Sequence, residues 1–221
     1  MTLKCARCGL VNFASDETCR RCGASLLPGN PIAELYPVPK AKERGFGRRL
    51  VWVLGMTLTL LFVYFVSLLI TSEGLDVGER RMVADAIAVL KQAGFSNEAF
   101  VLGNLVTYRA TDNWWNEYMG HQDAYAATNF PFEVVTLYPG FFTAAVDDTE
   151  RAAILLHESY HLFGAGEEAA LQGVWLEKQR LGWTADQYSQ TKVWKNTKEW
   201  TTGSLPGLFR CGTDGHSDCV Q

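Results

Sequence analysis

The stretch LVWVLGMTLTLLFVYFVSLLI, residues 50–70, decides how the rest of the chain is arranged. Its 21 residues carry no charge, and Gly55 is the only weak helix former among them. A helix of this length reaches roughly 30 Å, the thickness of the hydrocarbon core of a bilayer. A cleaved signal peptide is disfavoured, because the apolar run is too long and begins too far from Met1. The stretch therefore predicts one transmembrane helix rather than a buried helix of a soluble core.

The charges on the two sides of this stretch differ in sign. Residues 1–49 hold nine basic and four acidic side chains, a net charge of +5. Residues 72–221 hold 11 and 20, a net charge of −9, and show no basic stripe that would suit nucleic acid. Because segments with basic flanks stay in the cytoplasm, we expect residues 1–49 to be cytoplasmic and residues 72–221 extracytoplasmic.

Four cysteines near the N-terminus form two CxxC pairs, Cys5/Cys8 and Cys19/Cys22, separated by ten residues. Four thiolates are the ligand set of a closed tetrahedral zinc site, which leaves no position open for a substrate. In so short a segment the binding of metal supplies the folding free energy. We therefore predict a zinc ribbon over residues 1–26 that binds one structural zinc ion.

This spacing resembles that of the zinc fingers of the Ran-binding-protein type and of related bacterial zinc ribbons. Asn12 stands where that finger type carries its asparagine, whereas the usual tryptophan is missing and Leu3 lies nearby instead. The partner of such a module would be a cytoplasmic protein or a nucleic acid. Arg7, Arg20 and Arg21 are available for contacts with RNA or an acidic protein, and equally for solvent or lipid headgroups.

Residues 27–49 contain four prolines and then a basic run, which is typical of a linker. Cys211 and Cys219 lie alone near the C-terminus. Their extracytoplasmic position would permit a disulfide between them, while the four N-terminal cysteines would stay reduced and free to bind metal.

Residues 72–221 predict a domain of the α+β class. Strands are expected over residues 100–108 and 132–138. A helix capped at Asp147 is expected to run through Phe163, with further helices over residues 167–181 and 185–200. An earlier helix over residues 75–93 would present an apolar face formed by Val77, Met82, Ala86, Ile87 and Leu90.

The sequence His157-Glu158-Ser159-Tyr160-His161 lies in the middle of the helix capped at Asp147. Histidines four residues apart project from one face, close enough to hold a single metal ion, and the carboxylate between them can reach a water on that ion. The HExxH pattern alone is only moderately specific. Its context adds weight, because a strand precedes it and two acidic residues follow a glycine turn.

Residues 130–181 resemble the zincin superfamily of metallopeptidases, nearer to its glutamate-ligand branch, the gluzincins. The resemblance implies a catalytic zinc ion bound by His157 and His161, with Glu158 as the general base. It implies either Glu167 or Glu168 as the third ligand, because each fits the spacing of a different branch; Glu167 is slightly favoured. The strand at residues 132–138 would be the edge strand that pairs with an extended substrate.

The sequence therefore predicts a membrane-anchored zinc metallopeptidase with one catalytic and one structural zinc ion, acting on a peptide or protein. Glu158 would pass a proton from the attacking water to the leaving amine. A further group would stabilise the oxyanion, and four candidates remain open: Tyr108, Tyr125, Tyr160 and His121.

Two other interpretations compete with this one. The first is a membrane-tethered binding or sensory protein, in which the ribbon is the interaction module and the zincin-like domain has no activity. In the second, the HExxH segment is an ordinary helix surface without metal, which would leave several histidines and glutamates to be paired in another way. The sequence does not indicate the oligomeric state.

Overall fold

The computed structural model describes residues 2–27, 46–120, 124–129 and 131–209 of the chain. It divides into two compact units, Met1–Leu58 and Thr59–Gln221. Cys211 and Cys219, and the disulfide expected between them, lie outside the described residues, as do His121 and most of the linker.

The first unit begins with a small antiparallel hairpin. Strand β1, Thr2–Lys4, pairs with strand β2, Val11–Phe13, with Leu3 opposite Asn12. The first CxxC pair lies in the connection between β1 and β2 and the second in the turns after β2, and the four cysteines lie close together.

Helix α1, Phe46–Ile70, contains the apolar run. Residues 47–70 are long and apolar enough to cross a membrane, and their most apolar 18-residue window has a mean hydropathy of 2.4. Only 6% of the most apolar window is buried by the described residues, and the side chains from Leu50 to Val63 are exposed. The predicted helix is confirmed, and its position in a membrane and its orientation stay predictions.

The second unit is mixed α and β, as the sequence predicts. Its elements after α1 are α2 Val77–Gln92, α3 Ser96–Asn104, β3 Thr107–Arg109, α4 Trp114–Met119, β4 Ala126–Asn129, β5 Val134–Leu137, α5 Pro139–Thr143, α6 Asp148–Leu162, α7 Glu167–Glu177, α8 Ala185–Tyr188, α9 Lys192–Ser204 and a 3-10 turn, Pro206–Phe209.

The three strands of the second unit form one sheet in the order β3-β5-β4. β3 runs parallel to β5 and β4 runs antiparallel to it. The strand predicted at residues 132–138 is confirmed as β5, but it is the central strand, and the edge strand next to α6 is β4. All four side chains of β5 are buried, as expected for a central strand, whereas the small residues of β4 gave no periodic signal.

The strand predicted over residues 100–108 is wrong. Most of that segment belongs to helix α3, and only its end enters β3. In α3 the buried residues are Ala99 and Leu102, three positions apart, while the aromatic Phe100 is exposed. Short apolar runs do not distinguish a helix from a strand, so tertiary packing decided this one.

The apolar face predicted for α2 is correct only in its second half. The buried residues are Val83, Ala86 and Leu90. Val77 is the first residue after the N-cap Asp76 and is 87% exposed. It lies at the end of the helix, beyond the reach of the core.

The helix predicted over residues 185–200 is divided into α8 and α9, because the Thr191 side chain accepts a hydrogen bond from the Trp194 N–H and starts a new helix. Three tryptophans then pack together, with ring centroids 4.8–6.2 Å apart: Trp175, Trp183 and Trp194. Each buries a large apolar area, so this cluster holds α9 against α7, which itself packs on α6.

Candidate metal centres

The four N-terminal cysteines cluster as a possible zinc-binding site, consistent with the predicted zinc ribbon. The Sγ atoms of Cys5 and Cys22 are 3.7 Å apart, and those of Cys8 and Cys19 are 3.4 Å apart. Zinc–sulfur bonds of about 2.3 Å at tetrahedral angles place neighbouring sulfur atoms roughly 3.8 Å apart. The cluster therefore fits a four-thiolate metal site with little change.

Backbone geometry and one buried side chain hold these cysteines in place. Gly9 and Gly23 follow the two CxxC pairs at φ values of 73° and 67°, a region that few other residues adopt. The buried Asn12 side chain donates to the Leu10 carbonyl and accepts from the Arg20 N–H, which ties the first knuckle to the second. Asn12 therefore has a structural role, because its side chain bridges the two knuckles.

The environment of Cys19 favours its thiolate form. Burial opposes this, but the backbone N–H groups of Arg21 and Cys22 and two neighbouring thiols lower the pKa of Cys19 to about 6. A thiolate is the form that binds metal, so the pKa of Cys19 is shifted in the direction that suits a ligand.

In the second unit, helix α6 positions the HExxH residues. Its N-cap Asp147 accepts hydrogen bonds from the Thr149 and Glu150 N–H groups. The fully buried Glu150 carboxylate then accepts from the Val146 N–H and from the Thr191 hydroxyl. These contacts fix the start of the helix, so the positions two turns later are fixed as well.

Three side chains converge beyond this point. The Nε2 atoms of His157 and His161 are 3.0 Å apart, and the carboxylate oxygens of Glu167 lie 3.5 and 3.2 Å from them, respectively. Zinc bonds of about 2.0–2.1 Å to nitrogen and oxygen place tetrahedral ligand atoms roughly 3.3–3.4 Å apart. The His157, His161 and Glu167 side chains could therefore hold a metal ion.

Of the two acidic residues proposed as third ligand, the structure brings Glu167 to the histidines. Glu168, the next residue on α7, is exposed and is not part of the cluster. Glu167 remains 61% exposed despite its contacts, so the cluster is accessible from solvent.

In the metal-free protein the Glu167 carboxylate and the His161 imidazole stabilise each other's charged form. The Glu167 carboxylate and the Ala165 carbonyl raise the pKa of His161 to about 9, although burial acts in the opposite direction. Hydrogen bonds with the His157 side chain, which has the larger effect, and with the His161 side chain hold the pKa of Glu167 well below its usual range. The Nδ1 atom of His161 is 3.0 Å from the Ala165 carbonyl oxygen, which orients the ring with its Nε2 towards the cluster.

Glu158 lies beside the cluster and is only 4% exposed. Its Oε2 accepts a hydrogen bond of 2.7 Å from the hydroxyl of Thr128 on the edge strand β4. Thr128 was not identified from the sequence, because its segment showed no clear pattern.

A cavity of about 1080 Å³ opens over these residues. The edge strand β4 lines one side, and α9 lines another through Thr197 and Trp200. Within the described part of the chain β4 pairs only with β5, so its other edge is available to an extended chain.

The structure separates the candidates for an oxyanion-stabilising group. Tyr125 lines the cavity, and its hydroxyl accepts from the Asn196 side chain at 2.9 Å. The Tyr108 hydroxyl donates instead to the Leu102 carbonyl. Tyr160 packs away from the cavity, against α7. Of these three tyrosines, Tyr125 is thus the one that lines the cavity.

A glycine allows α7 to approach α6 closely. A Cβ atom at Gly173 would lie 2.6 Å from the ring of Tyr160. Because Glu167 is on the first turn of α7, this contact contributes to the distance between its carboxylate and the histidines.

No family model, curated protein or solved structure matches the chain.

Proposed function

We propose that this protein is a membrane-anchored, zinc-dependent metallopeptidase with a zincin-like domain, whose α1 crosses the membrane and whose residues 72–221 are extracytoplasmic. The observation that carries the proposal is the convergence of His157, His161 and Glu167 beside Glu158, at the floor of a large open cavity. A catalytic zinc site has three protein ligands and one position left open, and this donor set is of that kind.

Zinc in this position would supply Lewis acidity and lower the pKa of water towards about 7. Glu158 accepts a proton from the attacking water as the oxygen adds to the scissile carbonyl carbon. It then delivers that proton to the amide nitrogen as the C–N bond breaks, which yields a carboxylic acid and an amine. The Thr128 hydroxyl holds one Glu158 oxygen and leaves the other for this transfer.

Substrate recognition follows from the position of β4. An extended peptide can add to its open edge by backbone hydrogen bonds, which brings a peptide bond over the metal centre. Tyr125 lines the same cavity, and we assign the stabilisation of the oxyanion to its hydroxyl.

The decisive experiment uses the full chain, loaded with zinc, against a diverse peptide library with cleavage read by mass spectrometry. We expect Glu158→Gln to keep two zinc ions per chain and to lower turnover by about 10²–10⁴-fold. The matched control is Glu168→Gln, which changes an exposed carboxylate outside the cluster and should retain activity.

Cleavage that persists in Glu158→Gln would show that the assignment of the base is wrong. If the wild-type chain binds zinc at His157 and His161 and cleaves nothing in the library, the binding or sensory interpretation replaces the peptidase.

A further inference from the structure

A group of aromatic side chains surrounds the end of α1 that belongs to the second unit. The ring of Tyr64 has its centroid 6.2 Å from that of Trp114, 6.3 Å from Trp115 and 5.8 Å from Phe132. Phe132 also contacts Phe65, at 5.1 Å. We define the aromatic ledge as the five residues Trp114, Trp115, Tyr118, Met119 and Phe132.

Hydrogen bonds fix this ledge to the helix. The Trp114 indole N–H donates to the Ser67 hydroxyl at 3.0 Å. The Arg109 guanidinium donates to the Leu69 carbonyl and to Ser72, where the last carbonyls of α1 lack helical partners. The ledge therefore keeps a constant position along the axis of α1.

That position lies within the apolar run. Tyr64 precedes Ile70 by six residues, which corresponds to about 9 Å along the helix. The side chains of α1 are exposed up to Val63, partly or fully buried from Tyr64 to Leu69, and exposed again at Ile70. If α1 crosses a bilayer, the ledge is consequently level with the outer part of its apolar segment.

Helix α4, which carries most of the ledge, has its polar side turned inward. The buried Asn116 side chain donates to the Thr136 hydroxyl and accepts from Asn129, and the buried Asn113 donates to Asn129. This is the reverse of a surface helix in water, which buries its apolar face.

The outward side of α4 is correspondingly apolar and aromatic. Tyr118 is 78% exposed, and Trp114, Trp115 and Met119 are also exposed. Glu117 is the single charged residue of this helix, and it limits the depth to the headgroup layer. Tryptophan and tyrosine prefer that layer, since their rings are apolar and their N–H and O–H groups are polar.

We propose that the aromatic ledge lies in the interfacial layer of the lipid bilayer that α1 crosses, with α4 in the plane of the membrane surface. The inference rests on α1 being a transmembrane helix and does not depend on peptidase activity. The continuity of the ledge with α1 favours a bilayer over a protein partner as its occupant. Gly120, which caps α4, also lines the metal-site cavity, so one end of that cavity is held at the membrane surface.

The test uses the full chain in phosphatidylcholine nanodiscs, with and without lipids brominated near the headgroup, which quench nearby tryptophan emission. Trp52→Phe serves as the background, because it removes the tryptophan of the apolar run. We expect quenching in this background and loss of most of it when Trp114→Phe and Trp115→Phe are added. The matched control adds Trp200→Phe instead, at a residue of similar exposure that lines the cavity, and should keep the quenching.

A second variant distinguishes a loss of lipid contact from misfolding caused by the tryptophan replacements. Tyr118→Glu changes a highly exposed side chain and leaves both ledge tryptophans in place. It should reduce the quenching by placing a charge in the lipid layer. Emission that is insensitive to brominated lipid in the Trp52→Phe background would overturn the proposal. So would discs that contain a dimer cross-linked through α4, which would assign the ledge to a second copy of the chain.

Discussion

The four cysteines of the first unit and the His–Glu cluster of the second differ in the number of donors and in their surroundings. The cysteines offer four sulfur donors, two of them on buried residues, and none lines the 1080 Å³ cavity. The cluster of His157, His161 and Glu167 offers three donors, and all three line that cavity. Four protein ligands fill the coordination of a zinc ion, which is typical of a structural site. Three ligands beside a cavity leave one coordination position open for water or substrate, which is typical of a catalytic site. The same chain thus contains both designs.

The largest effect is expected when one of the four cysteines is replaced. Cys19→Ser should remove one zinc ion per chain and unfold residues 2–27, because structural zinc supplies about 10–16 kcal/mol of apparent folding free energy in small finger peptides. Zinc analysis and tryptic cleavage at Arg20 and Arg21 measure the two effects. Arg7→Ala, an exposed change in the same segment, is the control and should keep both zinc ions. Unchanged zinc content in Cys19→Ser would contradict a four-thiolate site.

The next prediction tests whether Glu167 is the third ligand beside His157 and His161. Glu167→Gln should weaken zinc binding by more than the roughly 100-fold that loss of an outer-shell partner costs, because it removes a proposed ligand. Glu168→Gln should leave the affinity unchanged, as its side chain lies outside the cluster. Competition with a chromophoric chelator measures both. Equal losses in the two variants would argue against a ligand role for Glu167.

A third prediction concerns pH. Glu167 raises the pKa of His161 from 6.5 to about 9, and a proton on His161 competes with the metal ion. Zinc affinity at this site should therefore rise about tenfold per pH unit between pH 7 and 9, then level off. In the metal-free protein the raised pKa gives stability that is fully present below pH 6.5 and is lost as the pH rises through about 9. Chelator-buffered titrations measure the first effect and denaturant unfolding the second; a flat affinity profile would contradict the coupling.

The smallest expected effect tests the support of Glu158. Thr128→Val removes the 2.7 Å hydrogen bond to its carboxylate, which corresponds to about 1.5 kcal/mol and a roughly tenfold loss of kcat. KM and zinc affinity should change little, because Thr128 does not contact the donor atoms. Thr202→Val, at an exposed threonine of α9, provides the control. A loss confined to zinc affinity would instead mean that Thr128 stabilises the metal site.

Local patterns allowed part of this structure to be predicted. The cap at Asp147, the helical spacing of His157 and His161, and the paired cysteines all act within one turn or knuckle, so the sequence alone indicated them. The choice between Glu167 and Glu168 depends on the angle at which α7 meets α6. Neighbouring residues on a helix look equally suitable in a sequence, and only packing distinguishes them.

Other features escaped prediction because they depend on distant contacts. α4 and β4 showed no period, since the polar side of α4 faces a buried asparagine network and β4 begins with two alanines. Thr128 became a functional candidate only through the folded position of Glu158. The sequence did not predict the aromatic ledge either, because the position of its residues beside α1 depends on the long-range contact with Tyr64.

The close approach at Gly173 has a consequence for how this protein can change. The residue lies on α7 below Glu167, and a methyl group there would press on Tyr160 and move the two helices apart. The carboxylate would retreat from the imidazoles although every donor was still present. The strength with which the ion is held can therefore be tuned from a position that never touches it.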